Sequence, residues 1–293
     1  MPNLKEVRNR IQSVNATRQI TSAMKLVSAA KLRRAQDAVT QMRPYADKLK
    51  EILANLSQDA EGVESPFMKS RTVNKVLLVV ISSNRGLCGA FNTNVIRNVT
   101  RLLNEQYAQQ HAQGEVYVIT VGKKATSWAS KMKLPSLGVY DEIFNNLTFS
   151  AAETVVTEIM EGYISASFDK VVLVYNEFVT AASQVINCED FLPVSAESDG
   201  AEVSVSSTEY IFEPDQKQII AHLIPMTLKT RLFKALLDSN AAEHGARMTA
   251  MHKATDNAGE LIKSLKLSYN KARQAAITNE ILEIVGGAEA LKG

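Results

Sequence analysis

The residues that invite chemistry follow a short apolar run. VLLVVIS, beginning at Val76, leads into Ser83-Asn84-Arg85-Gly86-Leu87-Cys88-Gly89. Strand, glycine-bearing loop, then helix is where α/β proteins hold ligands, and Asn84 and Arg85 stand at that end of the strand. The same edge serves equally well to bind a protein. The loop lacks the G-x-G-x-x-G spacing of a dinucleotide fingerprint. Gly122-Lys123-Lys124 looks like the end of a phosphate loop, but no glycine stands four residues before Gly122. No Ser or Thr follows the lysine directly either. Cys88 is a candidate nucleophile without a histidine in its segment. The histidines are His111, His222, His244 and His252. His244 and His252 lack the i, i+4 spacing of a helical metal pair and read as solvated positions. Trp128 reads as packing. No acid–base pair or triad emerges, so no catalytic residue, cofactor site or metal site is expected.

The elements that would position these residues are of two kinds. VLLVVIS, EVYVITVG and KVVLVYNEF are apolar, β-branched runs of the sort found in strands buried on both faces. Helical stretches lie between them, through about Tyr107, around KKATSWASK, and over SAAETVVTEIMEGYIS. Ser150 and Glu153 form a capping-box pattern for the last of these. This β-α-β-α-β order predicts a small Rossmann-like α/β domain with a parallel-type sheet.

The two ends of the chain are different. From about Pro214 to Leu291 the sequence reads as one long helix, broken once near Pro225, with Glu213-Pro214-Asp215 at its start. Small or apolar residues at Ala258, Ile262, Leu265, Tyr269, Ala272 and Ala276 step by 4, 3, 4, 3, 4, a coiled-coil seam. Some seventy residues at ~1.5 Å each give a rod on the order of 100 Å. Such a rod protrudes and needs a partner along its seam. The first residues supply one. Asn3 and Glu6 suit a helix start, and Leu4, Val7, Ile11 and Val14 begin a seam. Ala35, Ala38, Met42, Tyr45, Leu49, Ile52 and Leu56 resume it. Between them the register slips, with Ile20, Met24 and Val27 carrying it. Small residues from Ala16 to Ala30 allow close backbone approach. Pro44 is expected to kink the helix. The expected fold is thus α/β: a long antiparallel coiled coil of both termini plus the Rossmann-like domain. The boundaries are 1–57, 70–208 and 209–293.

Charge divides along the same lines. Net charge is +2, yet residues 1–50 hold 11 Lys or Arg against 3 Asp or Glu, and residues 217–293 hold 11 against 7. The remainder is acidic, with 11 against 21. Basic helices beside an acidic body fit an acidic partner: nucleic acid, anionic lipid or a protein surface. They fit equally the solvated flanks of any coiled coil. No apolar run approaches the ~20 residues of a membrane span, and MPNLKEVRNR is charged where a secretory signal would be apolar. Cys88 and Cys188 form no CxxC pair, which suits free thiols in a reducing compartment.

Three stretches carry a resemblance: ITSAMKLVSAAKLRRAQ, SSNRGLCGAFN, and ARMTAMHKATDNAGELIKSLKLSYNKARQAAITNEILEIVGGAEAL. In order and at full length the chain resembles the gamma subunit of F-type ATP synthases, in its bacterial form. The resemblance implies a central-stalk rotor shaft without a catalytic site of its own. It couples rotation of the membrane c ring to ATP synthesis and hydrolysis at β. Implied partners are three α and three β subunits around one copy of the chain, the epsilon subunit and the c ring, with no nucleic acid. The implied location is peripheral, on the cytoplasmic face of the bacterial inner membrane. By position, Met24 and Lys25 fall in the segment facing the β lever. Some members have an acidic residue where this chain has Lys25, so a charge effect there is reversed. Arg273, Gln274 and Thr278 match the catch with a β loop. Ile281, Leu282, Ile284 and Val285 match the apolar tip in the upper bearing. Tyr210, Phe212 and Glu213 match the foot that meets the c ring and epsilon. Two rival readings remain: a nucleic-acid binder built on a basic helical hairpin, which lacks an aromatic platform, and an enzyme with a coiled-coil arm, which lacks a catalytic constellation.

Overall fold

The computed structural model describes residues 4–58, 65–69, 71–194 and 216–290. Its elements are α1 (Leu4–Gln58), β1 (Val76–Ile81), α2 (Phe91–Asn104), α3 (Ala108–Ala112), β2 (Val116–Val121) and α4 (Lys123–Met132). β3 (Ser136–Val139), α5 (Phe149–Ile164), β4 (Lys170–Phe178), β5 (Gln184–Leu192) and α6 (Gln216–Ala290) follow. The chain divides into two compact units, one of residues 1–28 with 248–293, the other of residues 29–247. Both long helices contribute to each.

In the larger unit β1 is the hub, and all six of its residues are fully buried. Strand periodicity sends Leu77, Val79 and Ile81 into one core, with α5 and the first half of α6. Val76, Leu78 and Val80 enter a second core under α2 and α4. That double burial explains the unbroken apolar sequence. Strand order is β3-β2-β1-β4-β5. β1 pairs in parallel with β2 and β4, and β2 with β3. β5 returns antiparallel along β4. The Asp169 carboxylate accepts from the backbone N–H groups of Asn74 and Lys75 at 3.0 and 2.9 Å, aligning the starts of β1 and β4.

Two strands went unread in the sequence. β3 is short and largely exposed, and β5 carries Asn187, Cys188, Glu189 and Asp190 in a row. Neither has the apolar run that marks a buried strand. The cap of α5 also differs. Thr148, not Ser150, accepts from a backbone N–H, that of Ala151 at 3.3 Å. Glu153 instead pairs with Lys229 of α6 at 2.7 Å.

Helix α6 runs through Pro225 without a break. Proline removes one backbone hydrogen bond at a cost of ~3 kcal/mol. Ile224, Leu228 and Leu232 are fully buried around it, and each buried side chain contributes about 1.5–3 kcal/mol. The packing outweighs the lost bond. α1 likewise continues through Pro44. The expected cap at Asn3 and the Glu213-Pro214-Asp215 start lie outside the described residues.

In the smaller unit the helices run antiparallel. Arg8 donates to the Tyr269 hydroxyl at 2.9 Å, and Thr255 Oγ1 lies 2.8 Å from Thr21 Oγ1. The pairing therefore descends α6 as it ascends α1. Val7, Ala258 and Ile262 are buried on this seam. The expected middle register is corrected: Thr21 and Ser28 are buried, whereas Ile20 is 60% and Val27 57% exposed. Thr and Ser are slim enough for close backbone approach, and they bridge the slip while the larger side chains turn outward. Ala276 is exposed, and Ala275 takes the inward place. In the larger unit Tyr45 is exposed, and among the described residues α1 buries Leu32, Ala35, Val39, Leu49 and Leu53.

Gly122 tests the sheet's construction. Its φ is +96°, and a Cβ there would lie 2.3 Å from the carbonyl oxygen of Ser82. Gly122→Ala is expected to cost ~2 kcal/mol or more in denaturant unfolding; a variant as stable as the parent would contradict this close approach.

Candidate coupling surface

In a sheet of this order the chain leaves β1 toward β2 and β3, then crosses back to β4. The crevice beyond the carboxyl ends of β1 and β4 is where such folds bind ligands. Here the protein's own long helix fills it. Ala242 and Ala246 of α6 pack on Cys88, Phe91 and Phe178 in a small buried cluster. Alanine at both places lets the helix settle into the crevice. Arg247 closes the rim, donating to the carbonyls of Arg85 at 3.1 Å and Gly86 at 3.3 Å. Glu243, one turn back, ion-pairs with Arg247, and both are only 8% exposed. Burial pushes the Glu243 carboxyl above the usual range, opposed by the attraction of Arg247. On the opposite side of α6 the turn after β4 comes so near that a Cβ on Gly245 would lie 3.0 Å from the Ala181 carbonyl oxygen.

The residues singled out for chemistry therefore hold structure. Asn84 donates to the Asp141 carbonyl at 2.7 Å and accepts from the Lys123 backbone at 3.0 Å, tying the loop after β1 to the start of α4 and to the loop after β3. Arg85 offers its carbonyl to Arg247. Cys88 is 1% exposed, with Asn92 donating to its sulfur at 3.1 Å. Cys188 is exposed as a residue, but partial desolvation of its thiol raises the pKa, opposed by Arg101. His244, expected on a solvated face, has its Nδ1 shielded, and burial beside Arg247 and Lys31 lowers its pKa to about 4. It is neutral at pH 7. His252 faces Asp256 at 3.2 Å. Trp128 is 9% exposed in the core under α4. Sequence reading missed Arg247 and Glu243. Their i, i+4 spacing was visible, but a salt-bridged exposed face has the same pattern.

The remaining candidate residues all belong to the smaller unit or lie outside the described residues. Met24 and Lys25 are half-buried on α1. Arg273, Gln274 and Thr278 are exposed on α6, with Thr278 donating back to the Gln274 carbonyl at 2.9 Å. Arg273 and Gln274 are adjacent, and Thr278 follows Gln274 by one turn, so the three share one stretch of surface. Ile281, Leu282, Ile284 and Val285 are each more than half exposed, at 54, 63, 66 and 53%. Four large apolar residues in five positions are more than a solvated helix end needs. Tyr210, Phe212 and Glu213 fall outside the described residues. Among the described residues no helix is long and apolar enough to cross a membrane.

A crevice filled by α6 and, in the smaller unit, exposed apolar side chains near the end of a helical hairpin have the character of a docking protein. Comparison with known proteins is specific. The sequence pattern of the ATP synthase family matches residues 3–291. The ATP synthase gamma chain of Flavobacterium johnsoniae is 55% identical over the whole of both chains. That of Chlorobaculum tepidum is 47% identical, again over both whole chains. The central stalk of the Tetrahymena thermophila mitochondrial ATP synthase, 26% identical, aligns with a TM-score of 0.58 over 80% of this chain and 99% of that one. A chain of the Euglena gracilis mitochondrial enzyme reaches 0.69 at 21% identity, covering 98% and 94%. The chain belongs to the family of ATP synthase gamma chains.

The Arg247 clamp yields a measurable expectation. Arg247→Met alone strands the buried Glu243 carboxylate and should cost ~3 kcal/mol in unfolding free energy. Adding Glu243→Leu should recover much of that loss. Additive losses in the double variant would show that the pair is not a unit.

Proposed function

We propose that this chain is the rotor shaft of an F-type ATP synthase, coupling c-ring rotation to ATP synthesis and hydrolysis in the surrounding α and β subunits. Full-length identity with bacterial gamma chains carries the reading. The structure supports it in kind: the ligand crevice is occupied by α6, and the exposed features lie on helices. Catalysis then belongs to β, and this chain acts by contact alone. One copy stands inside three α and three β subunits, with its α/β body on epsilon and the c ring. It is peripheral to the membrane, on the cytoplasmic face of the bacterial inner membrane.

Coupling requires each angular stop of the shaft to favour one β conformation, a population shift set by differential contacts. A shaft symmetric about its axis favours none. This helical pair is asymmetric: Ile20 and Val27 point outward from α1, and Thr21 and Ser28 turn inward. Lys25 pairs with acidic residues of the β lever in this reading. Arg273, Gln274 and Thr278 form the catch, and Ile281, Leu282, Ile284 and Val285 the upper bearing. Tyr210, Phe212 and Glu213 form the foot against the c ring and epsilon.

Arg273→Ala is expected to lower torque or subunit retention in the assembled complex while leaving the fold of the chain intact, because the residue is exposed. Unchanged turnover and unchanged retention would contradict its place in the catch. Ending the chain after about Glu280 should lower coupling efficiency without stopping rotation, since contacts below the tip persist. Complete arrest in a single-molecule rotation assay would contradict that distribution of contacts.

A further inference from the structure

Asp238 stands where three elements of the larger unit meet. It lies on α6, is fully buried, and neither carboxylate oxygen receives a hydrogen bond. The nearby cation is Arg43 of α1, whose Nη2 is 3.6 Å from Oδ1. That is an ion-pair distance, too long for a good hydrogen bond. The Arg43 side chain is 46% exposed, and its Nη2 donates to the Phe178 carbonyl at the end of β4 at 3.3 Å. The other charged or titratable groups facing the carboxylate are Lys234, one turn back on α6, and Glu177 and Tyr175 of β4. A buried carboxylate normally keeps its charge by accepting several hydrogen bonds or a close, equally buried cation. This one has neither. Burial pushes its pKa up to about 6, against the pull of Arg43 and Lys234.

We propose that Asp238 and Arg43 form a proton-sensitive joint between α1, α6 and the β4–β5 hairpin. With Asp238 neutral the three elements pack shut. With it ionised, residues 36–53 of α1 open more readily, because opening lets water reach the carboxylate. The sign follows from linkage. In the open, hydrated form the carboxyl returns to its ordinary value of 3.8, below its value when closed. The closed form therefore holds the proton more tightly. Closure is strongest below the open-form value, weakens as pH rises to about 6, and is level above that. The joint would stiffen this part of the helix pair as pH falls below about 6.

The test is amide hydrogen exchange on the full chain between pH 5 and 7.5, corrected for intrinsic exchange, with β1 and β4 as internal reference. Opening of residues 36–53 should rise about tenfold across this range, with the strands unchanged. Asp238→Asn should abolish the rise and hold the segment closed. Arg43→Met removes the cation and should move the transition to higher pH. An identical profile in Asp238→Asn, an unmoved transition in Arg43→Met, or strands that open in parallel would each overturn the joint. Should Asp238→Asn fail to fold, a carboxyl carbon NMR titration of the parent decides: a midpoint near 6 supports the joint, and one below 4.5 overturns it.

Discussion

The rest of the larger unit depends on one close fit, the seating of α6 in the crevice beyond β1 and β4. Two alanines make the fit, and the Arg247–Glu243 pair locks it to the carbonyls of Arg85 and Gly86. One turn before Ala242 on the same face of α6, Asp238 meets Arg43 of α1. Lys229 and Arg231 fasten α6 to α5 and β5. The place that holds a nucleotide or substrate in many α/β proteins here holds a helix of the same chain.

The pairing of α1 with α6 joins residues more than two hundred positions apart, such as Arg8 with Tyr269. Closing a loop of that length is entropically costly, though the cost grows only with the logarithm of length. In the larger unit Leu53 of α1 and Ile220, Ile224 and Leu228 of α6 share one core, so both helices are also joined there. The seam is then chosen for narrowness. Thr21, Ser28 and Thr255 occupy places where a stable isolated coiled coil would carry Leu or Ile. The large side chains this leaves over, Ile20, Leu26 and Val27, face outward. Such a surface is ill suited to water and well suited to a collar of partner subunits.

Much of this was legible in the sequence. The double-sided burial of β1 follows from VLLVVI, and the long helices follow from heptad spacing and the rarity of breakers. What escaped has physical reasons. β3 is too short and exposed, and β5 too polar, to register as strands. Ile20 and Val27 belong on a seam by hydrophobicity, and only packing shows that Thr21 and Ser28 displace them. Pro225 predicts a break by local rules, which burial of Ile224 and Leu228 overrides. The capping box at Ser150 and Glu153 lost to Thr148 because Glu153 had a partner on α6. The coupling surface was legible only through resemblance: Arg273, Gln274 and Thr278 have no pattern that separates a catch from a solvated helix flank.

A shaft inside a ring of α and β subunits must assemble with them and change their turnover. Reconstitution with purified α and β from the same source tests this most directly, reading complex mass and ATPase activity together. The expected result is one copy of the chain per three α and three β, with activity raised by its addition. If competent α and β subunits formed no complex with it, or formed one whose turnover ignored it, the shaft account would be contradicted.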